Sequence, residues 1–241
     1  MIYKITFRVK TPIIVTAPLH FDALLAAVHP AMHNLNAVNR RSDADDVTQA
    51  PLAIDSAKIG DTWVYCCTAA DYSDDARPFT SKITKRKDGI DYYYLVKKQA
   101  PRTGTGRDRC DTIYGVVCTS VSFWVSTRYP TLLAKLCKRV KNIGTLRKMG
   151  YGEVTGFEIT PDESLTWQDC LIRHGRAARN LPAEMVCNYS KLSQVVVRPP
   201  YYVSALRRSG IAEGTETELV EEVWFNEYKR TARRELHGEQ E

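Results

Sequence analysis

The chain has 241 residues, 44% of them hydrophobic and 26% charged, with 34 Lys and Arg against 28 Asp and Glu for a formal net charge of +6. Chains of this size bury roughly 70–75% of their unfolded surface, so one sizeable core is stable without staples, and this composition excludes disorder of the whole chain. The longest apolar runs, such as 23–28 and 195–197, fall far short of the roughly 20 residues that a membrane helix needs.

Residues 2–9 (IYKITFRV) interleave apolar and polar positions, are rich in β-branched and aromatic side chains, and are stopped by Thr11-Pro12, which predicts a first strand. The same interleaving leaves no unbroken apolar stretch before a cleavage site, so a signal peptide is not expected and a cytoplasmic protein is. Next, His20-Phe21-Asp22 opens a first helix in which Phe21, Leu24, Leu25 and Val28 recur at helical spacing. Asp22 suits its first turn, and Pro30 kinks or ends it. After a polar loop holding RRSDADD (40–46), residues 63–69 (WVYCCTA) read as a second strand and 114–127 as a long third one. Pro130 suits the first position of a second helix whose Leu132, Leu133, Leu136 and Val140 form one apolar stripe. That helix runs into the loop 144–152 (GTLRKMGYG), and 153–159 alternates as a fourth strand.

The resulting order, β-α-β-β-α-β, predicts an α+β fold of ferredoxin-like type with both helices on one face of the sheet. Residues 1–160 make this domain, with 77–112 inserted between its second and third strands. Residues 161–241 make a C-terminal extension packed on it, with a helix over 167–179, an extended RPPYY segment (198–202) and a charged amphipathic helix over 217–236.

Charge is concentrated in the middle of the chain. Residues 77–148 carry +13, between flanks of −3 (1–76) and −4 (149–241). A block of one sign repels itself and marks an interaction surface whose natural counterpart is a polyanion, although a charge run also serves as a solvated face. Within the insertion, Asp88-Gly89 is a hairpin-turn signal between a cationic arm and 92–98, which predicts a projecting basic β-hairpin. The loop 144–152 combines three glycines, which let a backbone approach closely, with Arg147 and Lys148 as phosphate partners. It matches neither a Walker nor a dinucleotide fingerprint, and a helix C-cap with a tight turn explains it equally well.

Seven cysteines, an odd number without a C-x-x-C pair, predict neither disulfides nor structural zinc. His20, His29 and His33 gather around the first helix. His29 and His33 stand at metal-binding spacing, but no third ligand is near in sequence and Pro30 lies between them. Asp45-Asp46 and Asp74-Asp75 are adjacent and diverge, so they do not form a catalytic pair. No cofactor is expected.

A domain of this order, whose second helix leads into a loop of the form IG..RKMGYGEV, resembles the RAMP superfamily of CRISPR RNA-binding proteins. Within it the chain is most similar to the Cas-five-like group of type IV effector complexes. The resemblance rests on Thr11-Pro12-Ile13, on 18–26 (PLHFDALLA), on the loop 144–152 and on 198–202, and so touches most of 1–205. It implies a non-catalytic subunit that caps the 5′ handle of a guide RNA, beside backbone and large subunits, and meets target DNA only through the complex. The insertion becomes a thumb, with Lys82, Lys85, Arg86 and Lys87, then Lys97, Lys98, Arg102, Arg107 and Arg109, meeting phosphates. Tyr93, or a neighbouring Tyr92 or Tyr94, stacks a base or packs across the hairpin. His20 and the loop residues Gly144, Arg147, Lys148, Gly150, Tyr151 and Gly152 complete the RNA site. The alternative is a metal-independent endoribonuclease that processes the precursor RNA.

Overall fold

The computed structural model describes residues 1–29, 52–85, 109–199, 201 and 206–228. The opening strand β1 (Ile2–Val9) forms as expected and lies at the centre of a four-stranded sheet. After β2 (Ile13–Ile14) comes the first helix, α1 (Phe21–Ala26), which stops short of Pro30. Two short strands, β3 (Ser56–Ile59) and β4 (Thr62–Tyr65), then form a hairpin. The expected second strand is thus split: β4 takes its first residues, and its end reaches the central sheet through Cys67 opposite Val125 and then β5 (Asp71–Tyr72).

The expected third strand is two strands. β7 (Arg109–Val117) and β8 (Ser120–Ser126) are separated at Cys118-Thr119 and belong to different sheets. The turn carries neither Gly nor Pro and is held from outside. The Asp75 carboxylate accepts from the Thr119 backbone N–H at 3.2 Å and from its hydroxyl at 3.1 Å. β6 (Arg77–Lys85) pairs with β7 from Arg77 opposite Val117 to Lys85 opposite Arg109. The described part of the cationic arm therefore pairs with 109–117; the expected hairpin through Asp88-Gly89 to 92–98 lies outside the described residues.

After the second helix, α2 (Pro130–Cys137), β9 (Val154–Asp162) completes the central sheet, whose order is β5-β8-β1-β9 with every ladder antiparallel. Strand alternation divides its residues between two cores. Ile5 and Phe7 of β1 and Val121, Phe123 and Val125 of β8, all 0% exposed, meet Phe21 and Leu25 of α1 and Leu133 of α2. Phe123 lies 6.1 Å from Phe7 and 5.2 Å from Phe21 between ring centroids, within the favourable range for tilted and edge-on pairs. On the opposite face Ile2 and Trp124 join a second core with Cys170, Leu171, Leu181, Met185, Val195 and Ile211. The central sheet is covered on both sides.

The segment 167–179 is not a helix. A capping box of Thr166 and Asp169 starts only a short 3-10 turn, Trp167–Cys170, and a hairpin follows in which Ile172–Arg173 pairs with Arg176–Ala177 through His174 and Gly175 at φ 51° and 71°. Nor is the described part of 217–236 helical. Glu218–Leu219 pairs with Val186–Cys187, and Trp224–Asn226 adds an edge strand to β3. Five of the seven free cysteines are buried, and burial pushes the thiols of Cys137 and Cys170 up to about 12. No helix among the described residues is long and apolar enough to cross a membrane.

Candidate nucleic-acid interface

Residues 11–14 are the seam on which two distant parts of the chain meet. On one side β2 pairs with β7, Ile13 opposite Val116 and Ile14 opposite Gly115, and β7 carries β6 beyond it. On the other side the Thr145 N–H donates to the Ile14 carbonyl and the Gly152 N–H to the Pro12 carbonyl, both at 2.8 Å. The Thr11 hydroxyl donates to the Gly150 carbonyl and accepts from the Glu153 N–H, again at 2.8 Å each. The Phe79 ring of β6 approaches the Tyr151 ring of the loop to 6.2 Å. The glycine-rich loop and the base of the cationic insertion therefore share one short strand.

Helix α2 ends at Cys137, so the loop is not its cap. Its path is set by a 3-10 turn over Arg147–Met149, entered through Leu146 at φ 54° and left through Gly150 at φ 83°. A Cβ on Gly152 would sit 1.8 Å from the Ile143 carbonyl oxygen, and one on Gly144 would sit 2.5 Å from that of Ile14. These two glycines are required by the loop's own backbone. A Cβ on Gly150 would meet nothing within 4 Å, so that glycine faces open space from which a ligand can approach. Arg147 and Lys148 are exposed beside Met149, itself 51% exposed. On β7, Tyr114 is 64% exposed.

Of the other expected contacts, Lys82 is exposed on β6, and Lys85 and Arg109 stand opposite one another at the end of the β6–β7 ladder. Arg86, Lys87, Tyr93, Lys97, Lys98, Arg102 and Arg107 lie outside the described residues. His20 stands opposite Ala69 at the start of α1. It is 2% exposed, its ring stacks on that of Tyr201 at 4.6 Å and 21°, and among the described residues neither ring nitrogen has a hydrogen-bond partner. Burial, reinforced by the Arg179 guanidinium, holds its pKa well below the usual imidazole value. Among the described residues no group of three or more His, Cys, Asp and Glu is placed to hold a metal ion.

Beside His20 lies a network that sequence reading missed. Arg179, 0% exposed, pairs with the Asp22 carboxylate at 2.9 Å and donates to the Tyr201 hydroxyl and the Val197 carbonyl, each at 2.7 Å. The Tyr201 hydroxyl in turn donates to Asp22 at 3.0 Å. Nothing local announces a pair separated by 157 positions. Phe79 and Tyr114 were legible in principle, as aromatics within cationic strand-like runs.

A family model described as CRISPR type IV associated protein Csf3 matches residues 2–212. The chain belongs to the Csf3 family. No curated protein matches it. Csf3 membership makes the chain a subunit of a type IV CRISPR complex and agrees with the RAMP-type resemblance of its loop and opening segments.

Proposed function

We propose that this Csf3-family chain is a non-catalytic RNA-binding subunit that caps the 5′ handle of the guide RNA. The observation that carries this reading is the seam at 11–14, which joins the loop bearing the exposed cations Arg147 and Lys148 and the β6–β7 hairpin bearing Lys82 through one short strand. Phosphates need such paired cations, and Gly150 leaves room for a nucleotide backbone beside them. Tyr114 of β7 and Tyr151 of the loop offer ring faces to unstacked bases on either side of that seam. The sheet order β5-β8-β1-β9, with all ladders antiparallel, supports a ferredoxin-like domain over 1–160 with the insertion 77–112 as its thumb. The remaining residues act as an extension, and the acidic flanks dock backbone and large subunits of the complex.

A cleavage reading would draw its general base from the histidines near α1. The burial of His20 and its ring without a partner among the described residues support binding over cleavage, because a general base must reach the proton it takes. The purified chain should bind its repeat-derived handle RNA more tightly than a scrambled RNA at the same salt. Changing Arg147 and Lys148 together to Glu should lower the slope of log affinity against log salt by about 1.4, as loss of two phosphate contacts to a single strand requires. Equal affinity for scrambled RNA would sink the handle assignment, and RNA cleavage in EDTA would replace binding with catalysis.

A further inference from the structure

The β6–β7 ladder has two faces of different character. Exposure alternates residue by residue along 80–83 of β6 and 110–115 of β7, and the register brings the exposed positions of both strands to the same side. Thr80 stands opposite Tyr114 and Lys82 opposite Thr112, and all four are exposed. Phe79, Ser81, Ile83, Ile113 and Gly115 turn to the other side and are half-buried. The outward side therefore holds a two-by-two block of one ring, one ammonium and two hydroxyls. The ladder's one carboxylate, Asp111, stands opposite Ile83 and so belongs to the other side. Directly opposite side chains have Cβ atoms about 5 Å apart, and Lys82 lies on the diagonal from Tyr114, about 7–8 Å away and within a long side chain's reach. Among the described residues no side-chain hydrogen bond, ion pair or ring contact engages any of the four. Gly115, next to Tyr114, stands opposite Ile14, so the block begins one residue from the strand that also carries the loop.

We propose that this block reads the sugar of a bound strand. A base stacks on Tyr114, a backbone phosphate meets Lys82, and the Thr80 and Thr112 hydroxyls, which flank the line between them, hydrogen-bond a ribose 2′-OH. The inference rests on the reading of the chain as an RNA-binding subunit and adds the basis on which RNA is preferred over DNA. A hydroxyl donates and accepts at once, as the 2′-OH does, so two of them beside a stacking ring engage a ribose, whereas a deoxyribose leaves them unanswered. Arg147 and Lys148 meet phosphates, which RNA and DNA share, and do not make this distinction. An acidic peptide would engage Lys82 and leave the ring and the hydroxyls unused.

The test measures the affinity of the full chain by fluorescence anisotropy, over a salt series, for the repeat-derived handle and a scrambled strand, each made as RNA and as DNA. The chain should bind RNA about tenfold more tightly than DNA of the same sequence, as two hydrogen bonds to the sugar require. Thr80→Val with Thr112→Val should remove most of that ratio by weakening RNA and leaving DNA unchanged, and Thr80→Ser with Thr112→Ser should keep it. Tyr114→Ala should weaken both strands by about fivefold or more, Tyr114→Phe should restore most of the loss, and Lys82→Gln should lower the salt slope by about 0.7. Equal affinity for RNA and DNA, with the handle still preferred over the scrambled strand, would overturn the sugar reading alone. An RNA preference that the valine pair abolishes, without any handle preference, would overturn the handle assignment alone. An RNA preference unchanged in the valine pair would sink the sugar reading, and binding to none of the four strands would sink both.

Discussion

Asp22 and Arg179 are both fully buried, and each is tolerable only because the other is there. Removing one partner of such a pair leaves a charge in an apolar surrounding at a cost of about 3–5 kcal/mol. Arg179→Met should therefore lower the melting temperature by roughly 10 °C or more, and adding Asp22→Leu should recover part of the loss. No recovery in thermal denaturation would mean that the backbone carbonyls held by Arg179, and not Asp22, carry its effect. The neighbouring His20 predicts a pH dependence. Its proton affinity is depressed in the folded state, so below the unfolded value of about 6.5 the unfolded chain binds more protons and stability falls as pH falls. His20→Phe, which keeps the stack on Tyr201, should flatten that decline; denaturant titrations from pH 7.5 to 5.0 that decline equally in both proteins would refute the role. At this scale sequence reading saw Asp22 as a first-turn acid and His20 as a contact, because the atoms that bury them come from 179–201.

Elements divide by whether their cause is local. β1, α1 and α2 were legible because alternation, helical spacing and Pro130 act within one turn or one strand. The break at Cys118-Thr119 was not, since Asp75 supplies it from 44 positions away. The hairpin at His174-Gly175 did carry a turn signal, overridden by an apparent helical pattern across 167–179. The loop 144–152 offers the sharpest test at this scale. Gly152→Ala drives a Cβ into the Ile143 carbonyl at 1.8 Å, whereas Gly150→Ala meets only the left-handed backbone penalty of about 1–2 kcal/mol. Thermal unfolding should rank Gly152→Ala as clearly the more destabilising; equal losses would mean that the loop shifts freely off residues 11–14.

Over the whole molecule, the second core draws Ile2, Ala57, Val64 and Trp124 from the first 160 residues and most of its other members from 170–211. A fragment ending at 160 would expose that face of the central sheet to water. It should bind a hydrophobic dye and lose cooperative unfolding, while the full chain melts in one sharp transition; a cooperative 1–160 fragment would show that the extension is dispensable for folding. Sequence by itself determined the strands and helices with local periodicity, the concentration of +13 in residues 77–148 and the kinship of the loop, because each is written in neighbouring residues. Only the tertiary structure decided that the loop and the insertion meet at residues 11–14, that His20 is enclosed beside Arg179, and that Thr80, Lys82, Thr112 and Tyr114 share one face. Those placements depend on ladders and ion pairs between residues far apart in sequence, whose register no local pattern encodes.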